Sequence, residues 1–372
     1  MYYQRAREAL SRARFGNYQY AQACMLCALY THRARAHSSG PTVWHLTGMA
    51  MRAAVKVGLH RRQRVCDDQN PYEMEVNKRL FWSIYSLDRL LGHMLGRPFS
   101  IPEHDIDVQL PVDVEDSCTD FGYLQKLRMA QEIGEIIPTK VSAMTFLIHE
   151  VKLRQIESQI QASLYAVNPS SLQIPRAEGI LEARLDEWFK QTPPRSLLDS
   201  PGMVGYDHVY LNYCRAKRLL LSPQFNALDS LRLNMSEPVF REYVALNGGI
   251  CKAYRALHAR GTLTYSPVAL QTLFISGLAL AYCLWLDHQG VGTETIADIE
   301  ACQTMLGVLA ERWAHARNFK GVFDQLVATI NEPYSDTQAR SAPDPSIFKP
   351  LPEDWFFGPL DFTFWDLSAS VR

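Results

Sequence analysis

Cys24-Met25-Leu26-Cys27 has the spacing of a zinc half-site, and His32 and His37 follow it. A structural zinc takes four ligands, supplied as two such pairs or as one pair and two well-separated histidines. No second pair exists, the four-residue gaps crowd the histidines, and both cysteines fall in apolar helical text. They therefore read as small buried hydrophobes. His149-Glu150-Val151-Lys152 lacks the second histidine of a zinc-protease helix. Asp67-Asp68-Gln69-Asn70-Pro71 lacks the further acid of a helical metal site, and Pro71 breaks its register. Gly290-Val291-Gly292 lacks a third glycine and follows no strand, and neither a Gly-x-Ser-x-Gly elbow nor a phosphate loop occurs. What remains is a set of arginines, Arg52, Arg79, Arg89 and Arg97, beside the aspartates Asp88, Asp105 and Asp107. A buried charge needs a partner, and the planar guanidinium fork suits a carboxylate. The expectation is an arginine–aspartate network that fastens an acidic loop onto helices, with no reaction attached.

The elements that must carry these residues are helical. Asn17 can cap a helix running to about His37, with Ala21, Met25, Ala28 and Leu29 on one face. After the Ser38-Ser39-Gly40-Pro41 turn, Thr42 can cap a second helix to about Val57, and Gly58 fits the left-handed position past its end. The short link predicts an antiparallel hairpin. A protonated His60 would suit the negative end of that helix. Pro71 opens a long helix to about Met94 with the stripe Phe81, Ile84, Tyr85, Leu87 and Leu91. Gly96 ends it and Pro98 prevents continuation. Trp82 and Tyr85 read as core aromatics rather than ligand-stacking residues. Ser100–Phe121 is extended, acidic and proline-bearing, and reads as an ordered loop. Helices are predicted over Thr139–Ala166, Arg176–Lys190, Met203–Leu221, Glu237–Arg260, Pro267–Leu286 and Thr293–Asn331. Sheet signals are almost absent.

At 372 residues, with 47% hydrophobic and 21% charged residues, the chain has the composition of a globular protein able to bury a sizeable core. Its net charge of −1 excludes a polycation, but the charge is uneven. From Met1 to Arg64 the only acid is Glu8, against eleven arginines and lysines. Such a segment suits nucleic acid, or it faces the acidic run from Glu103 to Asp116; the second is the preferred reading. Eight scattered cysteines and no signal peptide suggest a reducing intracellular compartment. Thr262–Leu286 carries no charge, and its apolar part barely reaches the length of a bilayer span. Gln271, Thr272 and Ser276 interrupt it, so a central core helix is preferred to a membrane partner. From Ser335 the chain turns rich in proline, serine and aspartate. It then alternates acids with Trp355, Phe356, Phe357, Phe362, Phe364, Trp365 and Leu367. That pattern suits a solvated activation segment that docks in coactivator grooves, and equally a strap packed on the body.

Three clusters between Trp44 and Pro111 carry a family resemblance. They are Trp44-x-x-x-Gly48-x-Ala50-x-Arg52-Ala53 leading to Gly58-Leu59-His60-Arg61, then Glu75-x-x-Lys78-Arg79-x-Phe81-Trp82-x-x-Tyr85-x-Leu87-Asp88-Arg89. The third is Leu95-Gly96-Arg97-Pro98-x-x-Ile101 followed by Asp105-Ile106-Asp107-x-x-Leu110-Pro111. Their order and spacing resemble the regulatory domain, or middle homology region, of fungal zinc binuclear cluster transcription factors, most strongly over residues 20–115. The resemblance implies an all-α, multi-helix regulatory domain over 1–331 with a flexible acidic-aromatic tail over 332–372. It implies transcription regulation in a fungal nucleus, of RNA polymerase II type, in a metabolic or secondary-metabolite pathway. Zinc belongs to the family's six-cysteine DNA reader, and no Cys-x2-Cys-x6-Cys run occurs here. Promoter DNA is then expected only through a missing zinc cluster or another protein. Coactivator or mediator-type proteins, a small-molecule effector and a homodimer partner are the other expected partners. A helical interaction scaffold and, behind it, an all-α enzyme are the alternatives.

Overall fold

The computed structural model describes residues 18–33, 42–62, 70–135, 140–166, 174–200, 203–227, 235–287 and 290–331, with residues 5 and 137. Among them are twelve α-helices, one short 3-10 turn at Glu103–Asp105, and no strand. The acidic-aromatic segment and the predicted cap Asn17 lie outside the described residues. The chain forms two compact units. The first comprises Met1–His93 and Arg97–Gln159, the second Met94–Gly96 and Ile160–Arg372.

The first unit begins with α1 (Tyr18–Arg33) and α2 (Val43–Lys56), which pack against each other. Ala21, Cys24, Met25 and Ala28 of α1 and Leu46, Ala50, Met51 and Ala54 of α2 are buried. Cys24 is therefore core, and burial pushes its thiol up to about 11. Thr42 caps α2 as its sequence predicts, its hydroxyl accepting the His45 N–H at 3.4 Å. At the other end Gly58 adopts φ +77°. Its N–H donates to Val55 O and that of Leu59 to Ala54 O, the paired bonds of a Schellman turn.

Helix α3 (Pro71–Leu95) follows. Asn70 Oδ1 accepts the Tyr72 N–H at 3.0 Å at its start, and Gly96 at φ +60° ends it while Arg97 N–H donates to Gly92 O. Every residue of the predicted stripe is buried. Residues 96–120 are an ordered loop apart from the 3-10 turn. Helix α4 (Phe121–Glu132), capped by Asp120, was not among the predicted elements. Its cap and its run of helix formers from Leu124 to Glu132 are the signal that would have marked it. Helix α5 (Ala143–Leu164) runs from the first unit into the second.

The second unit contains α6 (Ile174–Lys190), the single turn α7 (Arg195–Leu198), α8 (Tyr206–Ala227), α9 (Pro238–Ala259), α10 (Pro267–Leu286), α11 (Thr293–Arg312) and α12 (Ala314–Ile330). Helix α10 starts where Ser266 caps it and Pro267 takes the first position. Among the described residues it is the helix long and apolar enough to cross a membrane, and 89% of its most apolar stretch is buried inside the protein. Leu273, Phe274, Leu278 and Leu280 pack in one core with Ile250 and Tyr254 of α9, Met305 and Leu306 of α11 and Phe319 and Phe323 of α12.

Two boundaries depart from the sequence expectation. α8 runs on past Leu221 through Pro223 to Ala227. Proline removes the N–H that would bond the carbonyl four residues back. The hydroxyl of Tyr165 donates to that carbonyl, Leu219 O, at 2.6 Å. The predicted helix Thr293–Asn331 is two helices, broken at Trp313, which is extended at φ −131°, ψ 125°. No glycine or proline marks the break. Trp313 is buried in the core, so packing of a large aromatic overrides a locally continuous pattern.

Candidate functional site

The motif charges meet where the 96–120 loop lies along α3. Arg89 is fully buried there. Its guanidinium donates to Asp88 Oδ2 (2.8 Å), Ile101 O (2.8 Å) and Glu103 Oε1 (2.8 Å from Nη2, 3.1 Å from Nε). The group lies between two rings, 4.2 Å from the Tyr85 centroid and 4.3 Å from that of Phe99. Tyr85 hydroxyl donates to the same Glu103 oxygen at 2.7 Å, and Asp88 accepts from Ser100 N–H (3.1 Å) and Oγ (2.5 Å). The close approach needs Gly92, because a Cβ there would sit 2.6 Å from the Phe99 ring. Trp82 is buried, and its indole N–H donates to Gln109 O at 2.9 Å. It is a core aromatic that also holds the loop.

A second buried group lies nearer the start of α3. Glu75 Oε2 accepts the Val112 N–H at 2.9 Å. Glu75 Oε1 faces Lys78 Nζ at 2.8 Å and Arg128 Nε at 3.6 Å. Lys78 also donates to Gln131 Oε1 (2.9 Å), whose amide donates to Leu110 O (2.8 Å). Burial lowers the pKa of Lys78 and of Arg128, while Glu75 opposes it. Glu75 and Lys78 belong to the motif, but Arg128 and Gln131 come from the unpredicted α4, so no spacing joins the four before the fold does.

The predicted arginine–aspartate network is present only in part. Arg79 pairs with Asp116 at 2.7 Å rather than with a motif aspartate. Arg97 lies over the Trp44 ring, 4.6 Å from its centroid, and makes a cation–π contact in place of an ion pair. Asp107 accepts the Arg62 N–H at 2.7 Å, pairs with Arg61 at 3.2 Å, and its own N–H donates to His60 O. Arg62 also pairs with Glu132 of α4, so part of the basic N-terminal region does face acids of its own unit. Pro98 is exposed in the turn after Gly96. Arg52 has no ion pair or hydrogen bond among the described residues. Its guanidinium folds over Gly48, 3.3 Å from where a Cβ would stand.

Arg52 and His60 from the first cluster and Asp105 from the third line one open cleft of about 310 Å3. Its apolar walls are Met51, Val55, Ile101 and Pro102. Burial lowers the His60 pKa, with Arg61 adding to the effect and Asp107 and Asp105 opposing it. The shift works against the charge that would suit the helix end. Among the described residues no group of histidine, cysteine and carboxylate side chains is arranged to hold a metal ion.

The chain is 29% identical over 320 residues to an uncharacterised transcriptional regulatory protein of Saccharomyces cerevisiae, covering 78% of this chain and 22% of that protein. It is 27% identical over 251 residues to the pyrimidine pathway regulatory protein 1 of Saccharomyces cerevisiae, covering 65% of this chain and 26% of that one. It is 24% identical over 398 residues to the positive regulator of purine utilization of Emericella nidulans, covering 87% and 36%. The chain thus spans between 22% and 36% of the length of these relatives. No solved structure matches it. The fungal specific transcription factor domain matches residues 2–190, half of the chain, and with the motif charges binding loop to helix there, the protein belongs to that family.

Proposed function

We propose that this chain is the regulatory body of a fungal transcription regulator that works in the nucleus, on RNA polymerase II promoters of a metabolic or secondary-metabolite pathway. The observation that carries the reading is the Arg89 clamp. Arg89, Asp88, Glu103 and Tyr85 are all engaged with one another and with the loop, so the family's signature charges hold a shape and are not free to act as acid, base or nucleophile. That shape-holding role supports the non-enzymatic reading. Pathway control is supported by the names of the pyrimidine and purine relatives. Promoter DNA is reached through a zinc cluster or a partner protein outside these residues. Coactivator or mediator-type proteins are met through residues 332–372, beyond the regulatory domain at 1–331.

The test is a reporter with two fusions to an unrelated DNA reader, one carrying the whole chain and one carrying residues 335–372. Transcription raised or repressed by the whole chain is expected, with activation by the tail fusion. A whole-chain fusion indistinguishable from the bare reader would end the regulatory reading, and background activity of the tail fusion would end the activation segment. A second reading, a helical interaction scaffold, is favoured by one surface. Met129 and Ile133 (77% exposed), four residues apart, leave an apolar strip on and just beyond α4 open to solvent, with Phe121 and Tyr123 also exposed on the same helix. Cytosolic residence of the full-length protein without any promoter effect would select it.

A further inference from the structure

The cleft at the end of α2 holds polar groups that the clamp does not use. Of the charged groups in its wall, Arg61 is matched by Asp107. Ser100 in the same wall is held by Asp88. Arg52 and Asp105 are different. Arg52 has no partner among the described residues, and Asp105 has no arginine or lysine within 4.0 Å among them; the exposed His104 ring of the same turn stands 4.0 Å away. His60, also in the wall, has a buried Nδ1 with no hydrogen-bond partner among the described residues. Four apolar side chains, Met51, Val55, Ile101 and Pro102, line the same cleft.

A cleft of about 310 Å3 with apolar walls and a few convergent polar groups is the general form of a small-molecule site. Its unmatched charges are one guanidinium and one carboxylate. They stand too far apart to pair with each other, since no ion pair joins them within 4.0 Å. A phosphate or dicarboxylate would meet Asp105 as a like charge, and a plain amine would meet Arg52 as one. A molecule with a carboxylate at one end, an amine at the other and an aliphatic body between answers all three features. Gly48 leaves room for the exposed Arg52 side chain to lie along α2, with its guanidinium over the glycine.

The geometry points to this cleft as a binding site for a small amino carboxylate, its carboxylate on Arg52, its amine on Asp105 and its chain against Met51, Val55, Ile101 and Pro102. The site joins the end of α2 to the loop that Arg89 clamps, so occupancy stiffens the contact between the two. This deepens the regulatory reading by naming the chemistry of an effector, and only the effector's consequence rests on that reading.

The test uses the full chain and four probes, 4-aminobutyrate, 6-aminohexanoate, hexanoate and hexylamine, with binding measured by calorimetry and by the shift in melting temperature. One of the two amino carboxylates is expected to bind at least about tenfold more tightly than hexanoate or hexylamine, as loss of one charge-assisted contact implies. The variants R52M and D105N are each expected to reduce that binding about tenfold. Neither residue has a strong protein partner, so the melting temperature without ligand is expected to stay unchanged. Absence of binding by both amino carboxylates overturns the proposal, and so does binding that survives both substitutions. Binding that follows this pattern while the reporter stays unmoved leaves the site standing and counts against the regulatory reading instead.

Discussion

The first unit buries arginine against carboxylates and backbone, while the second buries leucine, phenylalanine and tyrosine against one another. Arg89 is among the largest fully buried side chains of the first unit, and its fork reaches Asp88, Glu103 and a loop carbonyl. The second unit also has a buried arginine, Arg218, but its partners there are Ser276 Oγ at 2.6 Å and Asn247 Oδ1 at 3.3 Å. Burial lowers the pKa of Arg218, with no carboxylate among its main neighbours to oppose it. The reason for the difference is the shape each unit must hold. Helices pack on helices through apolar faces alone, because their backbone groups are already bonded within the helix. An extended loop brings unbonded N–H and C=O groups to the surface it covers, and these need side-chain partners. The buried charges along α3 therefore collect where the loop crosses it, at Ile101, Leu110 and Val112; Arg154 of α5, buried against Glu157 at 2.6 Å and Glu150 at 3.3 Å, is the exception, paired within its own helix.

If that contrast is right, the two units should fail differently. Replacing Arg89 by alanine strands Asp88 and Glu103 beside an apolar wall, and is expected to cost about 3–5 kcal/mol, as removal of one partner from a buried ion pair does. Hydrogen exchange should show protection lost across 96–112 and retained in α10. Equal loss in both would mean that the clamp does not belong to the first unit alone.

A pH titration comes next in size. Burial pushes His32 of α1 down to about 4, with Arg33 adding to the effect. The same cause takes His149 of α5 to about 4. A histidine lowered in the folded state prefers to be neutral there, so its contribution to stability is complete above pH 6.5 and lost as the pH falls toward 4. Each contributes at most about 1.4 kcal/mol per pH unit across that window. H32Q is expected to flatten the acid limb of a melting-temperature profile for the first unit; an unchanged limb would remove His32 from the cause.

The smallest effect is expected in the second unit. A Cβ at Gly277 of α10 would lie 2.5 Å from Cys302 Sγ and 2.7 Å from the Phe323 ring. Overpacking of this kind costs about 1–3 kcal/mol. G277A should lower protection in α10 and α12 and leave the 96–112 segment as it was. A reversed pattern would break the comparison.

The amino-acid order by itself determined the helical class, the cap at Thr42, the turns at Gly58 and Gly96, and the ordered acidic loop. Each depends on local sterics or on a pattern of period 3.6 that neighbours in sequence supply. It also marked Asp88, Arg89 and Asp107 as residues of consequence. Only the tertiary structure decided which charges meet. Glu103 rather than a second aspartate completes the Arg89 clamp, Arg97 finds the Trp44 ring, and Arg128 reaches Glu75 and Gln131 reaches Lys78 from a helix that the pattern did not announce. The break at Trp313 and the helix that continues through Pro223 have the same origin. At Trp313 burial of a large aromatic outweighs local preference, and at Pro223 the distant tyrosine hydroxyl offsets part of the proline's cost by satisfying the carbonyl it leaves open.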